Sequence, residues 1–186
     1  MKKKNNFICL IMGESGVGKT TLAENLEKYY GYTQIKSYTT RPKRYEGEVG
    51  HIFVDKQKFN SLGDFVAYTE YGDNQYGATT QQVEENQLYV IDPDGVIAFY
   101  EKYKGDKKVI VVYLKADKKA RVARMLQRGD GTLNIADRSK IDRCAFRKDK
   151  IKTIRAIYPN FYVVDANKNT ATICIDVANI LEGGNF

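Results

Sequence analysis

Gly13-Glu14-Ser15-Gly16-Val17-Gly18-Lys19-Thr20 fits the pattern G-x-x-x-x-G-K-[ST] at every fixed position. Before it runs Phe7-Ile8-Cys9-Leu10-Ile11-Met12, a short apolar segment that reads as a buried parallel strand. After it comes Thr21-Leu22-Ala23-Glu24-Asn25-Leu26-Glu27, a good helix former with Leu22 and Leu26 on one face. Strand, glycine loop and helix in that order are the context the pattern requires. Polyphosphate is a dense cluster of negative charge. Glycines let the backbone curl around it with N–H groups pointing inward, and the following helix aims the positive end of its dipole at the same point. Residues Gly13, Glu14, Ser15, Gly16, Val17 and Gly18 would form the cradle. Lys19 would reach the β- and γ-phosphates, Thr20 would ligate Mg²⁺ through its hydroxyl, and Thr21 completes the first helical turn. The stretch predicts a nucleoside triphosphate site and leaves open what the phosphate is used for.

The bulk numbers set bounds on the rest. A length of 186 residues suits one α/β domain with a sizeable core. Hydrophobic content of 42% and charged content of 28% are those of a soluble globular chain. No apolar run approaches the roughly 18 residues of a membrane span. Met1-Lys2-Lys3-Lys4 is followed by an apolar run that ends in the phosphate loop, so it does not read as a secretion signal. Cys9, Cys144 and Cys174 lack metal-ligand spacing and read as small buried hydrophobes or surface thiols in a reducing cytoplasm. A net charge of +7 suits phosphate-rich ligands. The basic residues are scattered, not massed, which argues against nucleic acid. The expected partners are therefore small-molecule nucleotides, with neither nucleic acid nor membrane, for a monomer or homodimer in the cytoplasm.

Strands alternate with helical segments along most of the chain. Candidate core strands are 7–12, 34–37, 88–91, 109–114 and 161–164. Candidate helices are 20–29, 80–86, 95–103, 118–128, 139–157 and 170–181. Thr79 with Gln82 fits a capping box, and Asp117 is placed to cap the helix after Leu114. Such alternation predicts a parallel sheet covered on both faces. Residues 39–77 break it with turn residues and short aromatic runs, and read as a small β-rich insertion. Its place beside the phosphate loop, at the carboxyl ends of the strands, is where open α/β sheets bind ligands.

Ser37-Tyr38-Thr39-Thr40-Arg41-Pro42-Lys43-Arg44 is the second informative stretch. Arginine forks match phosphate oxygens in pairs, so beside a triphosphate loop this reads as a site for a second phosphate. Here the chain resembles the guanylate kinase family, over almost its whole length. The S-x-T-T-R-x-x-R signature is present as Ser37, Thr39, Thr40, Arg41 and Arg44. Gly47-Glu48-Val49, Phe53-Val54, the Tyr76-Gly77 pair, and Asp92 with Gly95-Val96 also resemble the family. The resemblance implies a P-loop nucleoside monophosphate kinase fold. This is one domain over 1–186, with a core at 1–38 and 78–186, an acceptor-binding insertion at about 39–77 and a lid at about 128–143. It implies ATP with Mg²⁺ as donor and GMP or dGMP as acceptor. Arg41, Arg44 and Tyr76 would hold the acceptor phosphate with Ser37 nearby. Asp92 would face either Mg²⁺ through water or the acceptor nucleoside. Arg128 would open the lid, Arg138 or Arg143 would be its second arginine, and Asn167 with Asp165 would lie near the adenine.

Three departures accompany the resemblance. The segment between Arg44 and Phe53 is short. His51 stands where the family has a phosphate-binding tyrosine. Ala67 and Ala78 stand where the family reads guanine with a glutamate and a Ser/Thr, and each lost contact to a buried base edge removes about 1–3 kcal/mol of discrimination. Glu70 and Thr79 are candidate replacements. A ribose 1,5-bisphosphate phosphokinase shares the shortened, histidine-bearing segment and lacks the guanine readers, whereas the retained Arg44 favours guanylate kinase. A phosphopeptide-binding module of the same family is disfavoured by the intact phosphate loop. A regulatory GTPase is disfavoured because Asn167-Lys168-Asn169-Thr170 lacks the expected aspartate.

Overall fold

All seven residues of β1 (Phe7–Gly13) are buried, and the layers follow from that. The computed structural model describes residues 6–43, 46–71 and 73–183. Strand β1 lies between β6 (Leu88–Val90) and β7 (Lys108–Lys115), with β8 (Phe161–Asp165) beyond β7. All pairings are parallel, in the order β6-β1-β7-β8. Side chains alternate along a strand, so β1 feeds two cores. Cys9 and Ile11 pack with Leu22 and Leu26 of α1 (Lys19–Tyr30) and with Val177 of α8 (Thr170–Leu181). Ile8, Leu10 and Met12 pack with Val96 and Phe99 of α4 (Pro93–Lys102) and Ile154 of α7 (Lys148–Ile157). Each such fully buried aliphatic side chain contributes about 1.5–3 kcal/mol.

Parallel strands end at one edge. At that edge β1 runs into the phosphate loop, β6 into Asp92, β7 into α5 (Lys118–Gln127) and β8 towards Asn167. The second sheet sits beside it with order β3-β2-β5-β4: Ile52–Phe53, Tyr38–Thr39, Asn74–Thr79 and Phe65–Tyr71. Strands β4 and β5 form an antiparallel pair in which Ala67 opposes Ala78 and Thr69 opposes Tyr76. Val66, Ala67 and Ala78 join the core cluster of Met12 and Val96, which seats this sheet on the main domain. Gly77 is required by packing, because a Cβ there would lie 2.5 Å from the Phe65 ring.

The α/β expectation, a parallel sheet flanked by helices with a small second sheet, describes this structure. Several local readings do not. Residues 34–37 form no core strand: Gln34 makes a single parallel bridge to Leu88, and the strand proper is β2, in the other sheet. Within the β-rich insertion lies one helix not expected from the sequence, α2 (Lys56–Leu62), which starts at Asp55, whose side chain caps Lys58 N–H, and stops at Gly63 in the left-handed region. The expected helix at 139–157 is two helices, α6 (Thr132–Ala145) and α7, divided where Phe146 stacks on Tyr113 at 5.8 Å. Asp117 occupies the N-cap position of α5 but its side chain makes no capping bond. The Thr79–Gln82 capping box is formed, at the start of α3 (Thr80–Glu85).

Candidate active site

The phosphate loop takes its shape from two glycines in the left-handed region, Gly16 (φ 76°) and Gly18 (φ 106°). At Gly16 a Cβ would also lie 2.5 Å from the Arg121 carbonyl oxygen, so α5 is packed against the loop's backbone. Gly18 is the N-cap of α1 and brings no side chain to its first amides. Those amides and the helix dipole point into the loop, the arrangement that binds phosphate at helix N-termini. Thr20 and Thr21 are exposed at the first turn. Lys19 is half-buried, and its ammonium donates to the carbonyls of Gly13 (2.5 Å) and Glu14 (3.3 Å). Burial pulls its pKa down to about 8, against the carboxylates of Asp142 and Asp92, while Arg121 and Arg128 add to the lowering.

Two arginines that sequence reading did not single out support the loop from α5. Arg121 is buried, and donates to Glu14 Oε1 at 2.9 Å and the Ser15 carbonyl at 3.3 Å. Arg124 ties the Val17 carbonyl (3.1 Å) to that of Ala166 (2.8 Å). Beside Ala166, Asn167 accepts from Asp117 N–H at 3.0 Å, joining the ends of β7 and β8. These pairs span between 42 and 107 residues, so no local pattern announces them.

From the loop a cleft of about 960 Å³ leads to the second sheet. Gly13, Ser15 and Lys19 line one end; Ser37, His51 and Tyr76 line the other. Ser37 Oγ and His51 Nδ1 share a 3.0 Å hydrogen bond whose direction follows the histidine tautomer. The His51 ring meets Tyr76 edge-on at 5.7 Å. Arg41 stands behind this group, its side chain 10% exposed. Glu48 accepts from Nη2 at 2.7 Å and from Nη1 at 3.3 Å, and the Pro42 carbonyl accepts from Nη1 at 2.8 Å. Nε is buried with no partner among the described residues. Burial pulls the Arg41 pKa down, but the Glu48 carboxylate and the Tyr76 hydroxyl outweigh it and leave it raised. Arg44 lies outside the described residues.

The cleft wall between the two ends is mixed. Asp92 is the N-cap of α4, its Oδ1 accepting from Gly95 N–H at 2.8 Å. Burial raises the Asp92 pKa, with the Gly95 amide and the Thr69 hydroxyl pulling the other way. Glu70 lines the cleft and accepts a hydrogen bond from the Tyr68 hydroxyl. Thr79 is not brought into the cleft: its hydroxyl caps Gln82 N–H at the start of α3. Ala67 and Ala78 are buried, 1% and 0% exposed; Ala67 lines the cleft and Ala78 does not. On α6 Arg138 lines the cleft, its Nε bonded to Asn134 Oδ1 at 2.9 Å. Arg143 is exposed and does not line it. Arg128 ends α5 and pairs with Asp130 at 2.5 Å.

A parallel sheet carrying a phosphate loop on β1, a small sheet holding an arginine–tyrosine cluster across a shared cleft, and a helix, α6, lining that cleft define a P-loop nucleoside kinase fold. The comparisons agree. The family model described as guanylate kinase matches residues 5–183, and the chain belongs to that family. A guanylate kinase from Bartonella henselae is 30% identical over 149 residues, covering 72% of this chain and 66% of that protein. One from Mycoplasmoides gallisepticum is 32% identical over 143 residues, covering 69% of this chain and 72% of its own. The first alignment thus spans just under two thirds of its relative's length. In fold, the crystal structure of guanylate kinase from Anaplasma phagocytophilum superposes with a TM-score of 0.63 at 23% identity, covering 98% of this chain and 88% of the other.

Proposed function

We propose that the chain transfers a phosphoryl group from ATP to a nucleoside monophosphate, with GMP and dGMP the leading acceptors, in the cytoplasm. The observation that carries this is the single cleft with an anion grip at each end: loop amides and Lys19 at one, Tyr76, His51 and Ser37 with Arg41 behind them at the other. Arg41 has a buried Nε without a partner among the described residues, a donor suited to a phosphate oxygen.

The acceptor oxygen of a monophosphate is already ionised at neutral pH, so the reaction needs no strong general base. Catalysis rests on alignment and on neutralising the transferring group. Lys19 and the loop amides hold the donor phosphates, while Arg41 and Tyr76 hold the acceptor in line. Arg138, from the lid side, adds positive charge between them, and lid closure excludes water as a competing acceptor. Among the described residues no group of three or more His, Cys, Asp or Glu could hold a metal by itself. The exposed Thr20 hydroxyl, with Asp92 nearby through water, is a donor set that suits Mg²⁺ carried in on substrate phosphates, since that ion keeps several waters. Bound there, Mg²⁺ would neutralise charge on the β- and γ-phosphate oxygens.

One observation favours a second acceptor. The Ala67–Ala78 pair offers no hydrogen-bond acceptors to guanine N1–H and N2, whereas ribose 1,5-bisphosphate has no base to read. A coupled assay with GMP, dGMP, AMP and ribose 1,5-bisphosphate separates the two. Turnover highest with GMP or dGMP supports the leading reading, and turnover confined to the sugar bisphosphate replaces it.

A further inference from the structure

The lid helix α6 reaches back to the phosphate loop through one residue. Asp142 accepts from Ser15 N–H at 2.9 Å (Oδ2) and from the Ser15 hydroxyl at 3.1 Å (Oδ1). Arg121 Nη1 lies 3.5 Å from Asp142 Oδ2 while its other contacts hold Glu14 and the Ser15 carbonyl. Both residues are buried, Asp142 at 8% and Arg121 at 7% exposure. A carboxylate on a loop amide, backed by a guanidinium, has the charge and acceptor geometry of a phosphate in the same place. The Ser15 amide has one hydrogen to give. A phosphate entering the loop and the Asp142 carboxylate compete for it, and two anions at hydrogen-bond separation repel in a buried setting.

We propose that Asp142 is an internal substitute for a substrate phosphate, holding α6 on the loop until the nucleotide displaces it. Nucleotide binding and lid position are then coupled through this one contact. Gly129 and Gly131 precede α6, Gly131 as its N-cap and Gly129 in the left-handed region (φ 87°), and give the helix a place to pivot. Arg121 stays on the loop in both states through Glu14 and the Ser15 carbonyl, so the loop keeps its wall while α6 pivots, drawing Asp142 off Ser15 and keeping Arg138 over the bound phosphates.

The proposal rests on reading residues 13–20 as a nucleotide site, and the test separates the two. Calorimetric titration of the full chain with Mg²⁺–ADP and a non-hydrolysable Mg²⁺–ATP analogue compares wild type with Asp142→Asn and Asp142→Ala. Removing a charge-assisted competitor should tighten nucleotide binding about tenfold in Asp142→Ala, with a smaller gain in Asp142→Asn, which keeps an acceptor. Affinity unchanged or weaker in both variants, with melting curves like wild type, overturns the proposal alone. Failure of wild type to bind either nucleotide overturns it together with the reading of the loop. Should the variants fold poorly, amide hydrogen exchange on wild type decides. Nucleotide should slow exchange across residues 13–20 and speed it at the carboxyl end of α6, and slowing at both places overturns the proposal.

Discussion

Replacing Arg41 by lysine keeps a positive charge and removes the planar fork. In the structure Glu48 and the Pro42 carbonyl occupy Nη1 and Nη2, and Nε remains buried with no partner among the described residues. A lysine ammonium is one point charge. Drawn to Glu48, which lies 2.7 Å from Nη2, its three donors cluster there and none is placed where Nε stands to meet the acceptor phosphate. One charge-assisted hydrogen bond contributes about 1.5–3 kcal/mol, which at 1.4 kcal/mol per decade is about a 10- to 100-fold rise in acceptor KM. The ATP KM should stay near wild type, because no Arg41 contact reaches the phosphate loop. Steady-state kinetics with each substrate varied in turn, alongside a melting curve, reads all three quantities. An acceptor KM within about twofold of wild type, in a protein that melts normally, would refute the assignment of Arg41 to the acceptor phosphate.

Gly16→Ala forces a Cβ to 2.5 Å from the Arg121 carbonyl and 3.0 Å from Met125 Cγ at a left-handed φ; the backbone strain alone costs about 1–2 kcal/mol, so the variant should melt lower and lose ATP binding. With Lys19 titrating at about 8, ATP binding should be flat below pH 8 and then weaken by up to about tenfold per pH unit; calorimetry from pH 6.5 to 9.5 reads the slope. For stability the sign is opposite. The folded pKa lies below the ordinary lysine value of 10.5, so Lys19 costs stability below pH 8, and that cost is relieved as pH rises from 8 towards 10.5. Thr79→Ala should cost about 1 kcal/mol in denaturant unfolding through the lost cap on α3 and leave acceptor KM unchanged, as its hydroxyl lies outside the cleft.

The parts of the fold legible in the sequence were those written locally. The buried run Phe7–Met12, the glycine loop and the Thr79–Gln82 box each carry their cause within a few residues. The helix α2 was written just as locally, in Asp55 and Gly63, but lay between aromatic runs that drew the reading towards strands. The division of α6 from α7 has no glycine or proline to mark it. It depends on Phe146 meeting Tyr113, 33 positions away in the chain. Long-range pairing hid Arg121, Arg124 and Asp142 in the same way: as sequence they are ordinary charges on helices, and their meaning appears when α5 and α6 fold against residues 13–20. Thr79 and Arg143 show the converse, chemically suitable side chains that the backbone directs elsewhere.

The central claim is that one cleft holds two phosphorylated ligands end to end. An inhibitor in which adenosine and guanosine are joined through five phosphates tests it directly, with its inhibition pattern measured against ATP and against the acceptor in turn. Competition with both substrates, and affinity above that of either one alone, is the result predicted. Competition with ATP alone, with the acceptor site still open, would contradict it.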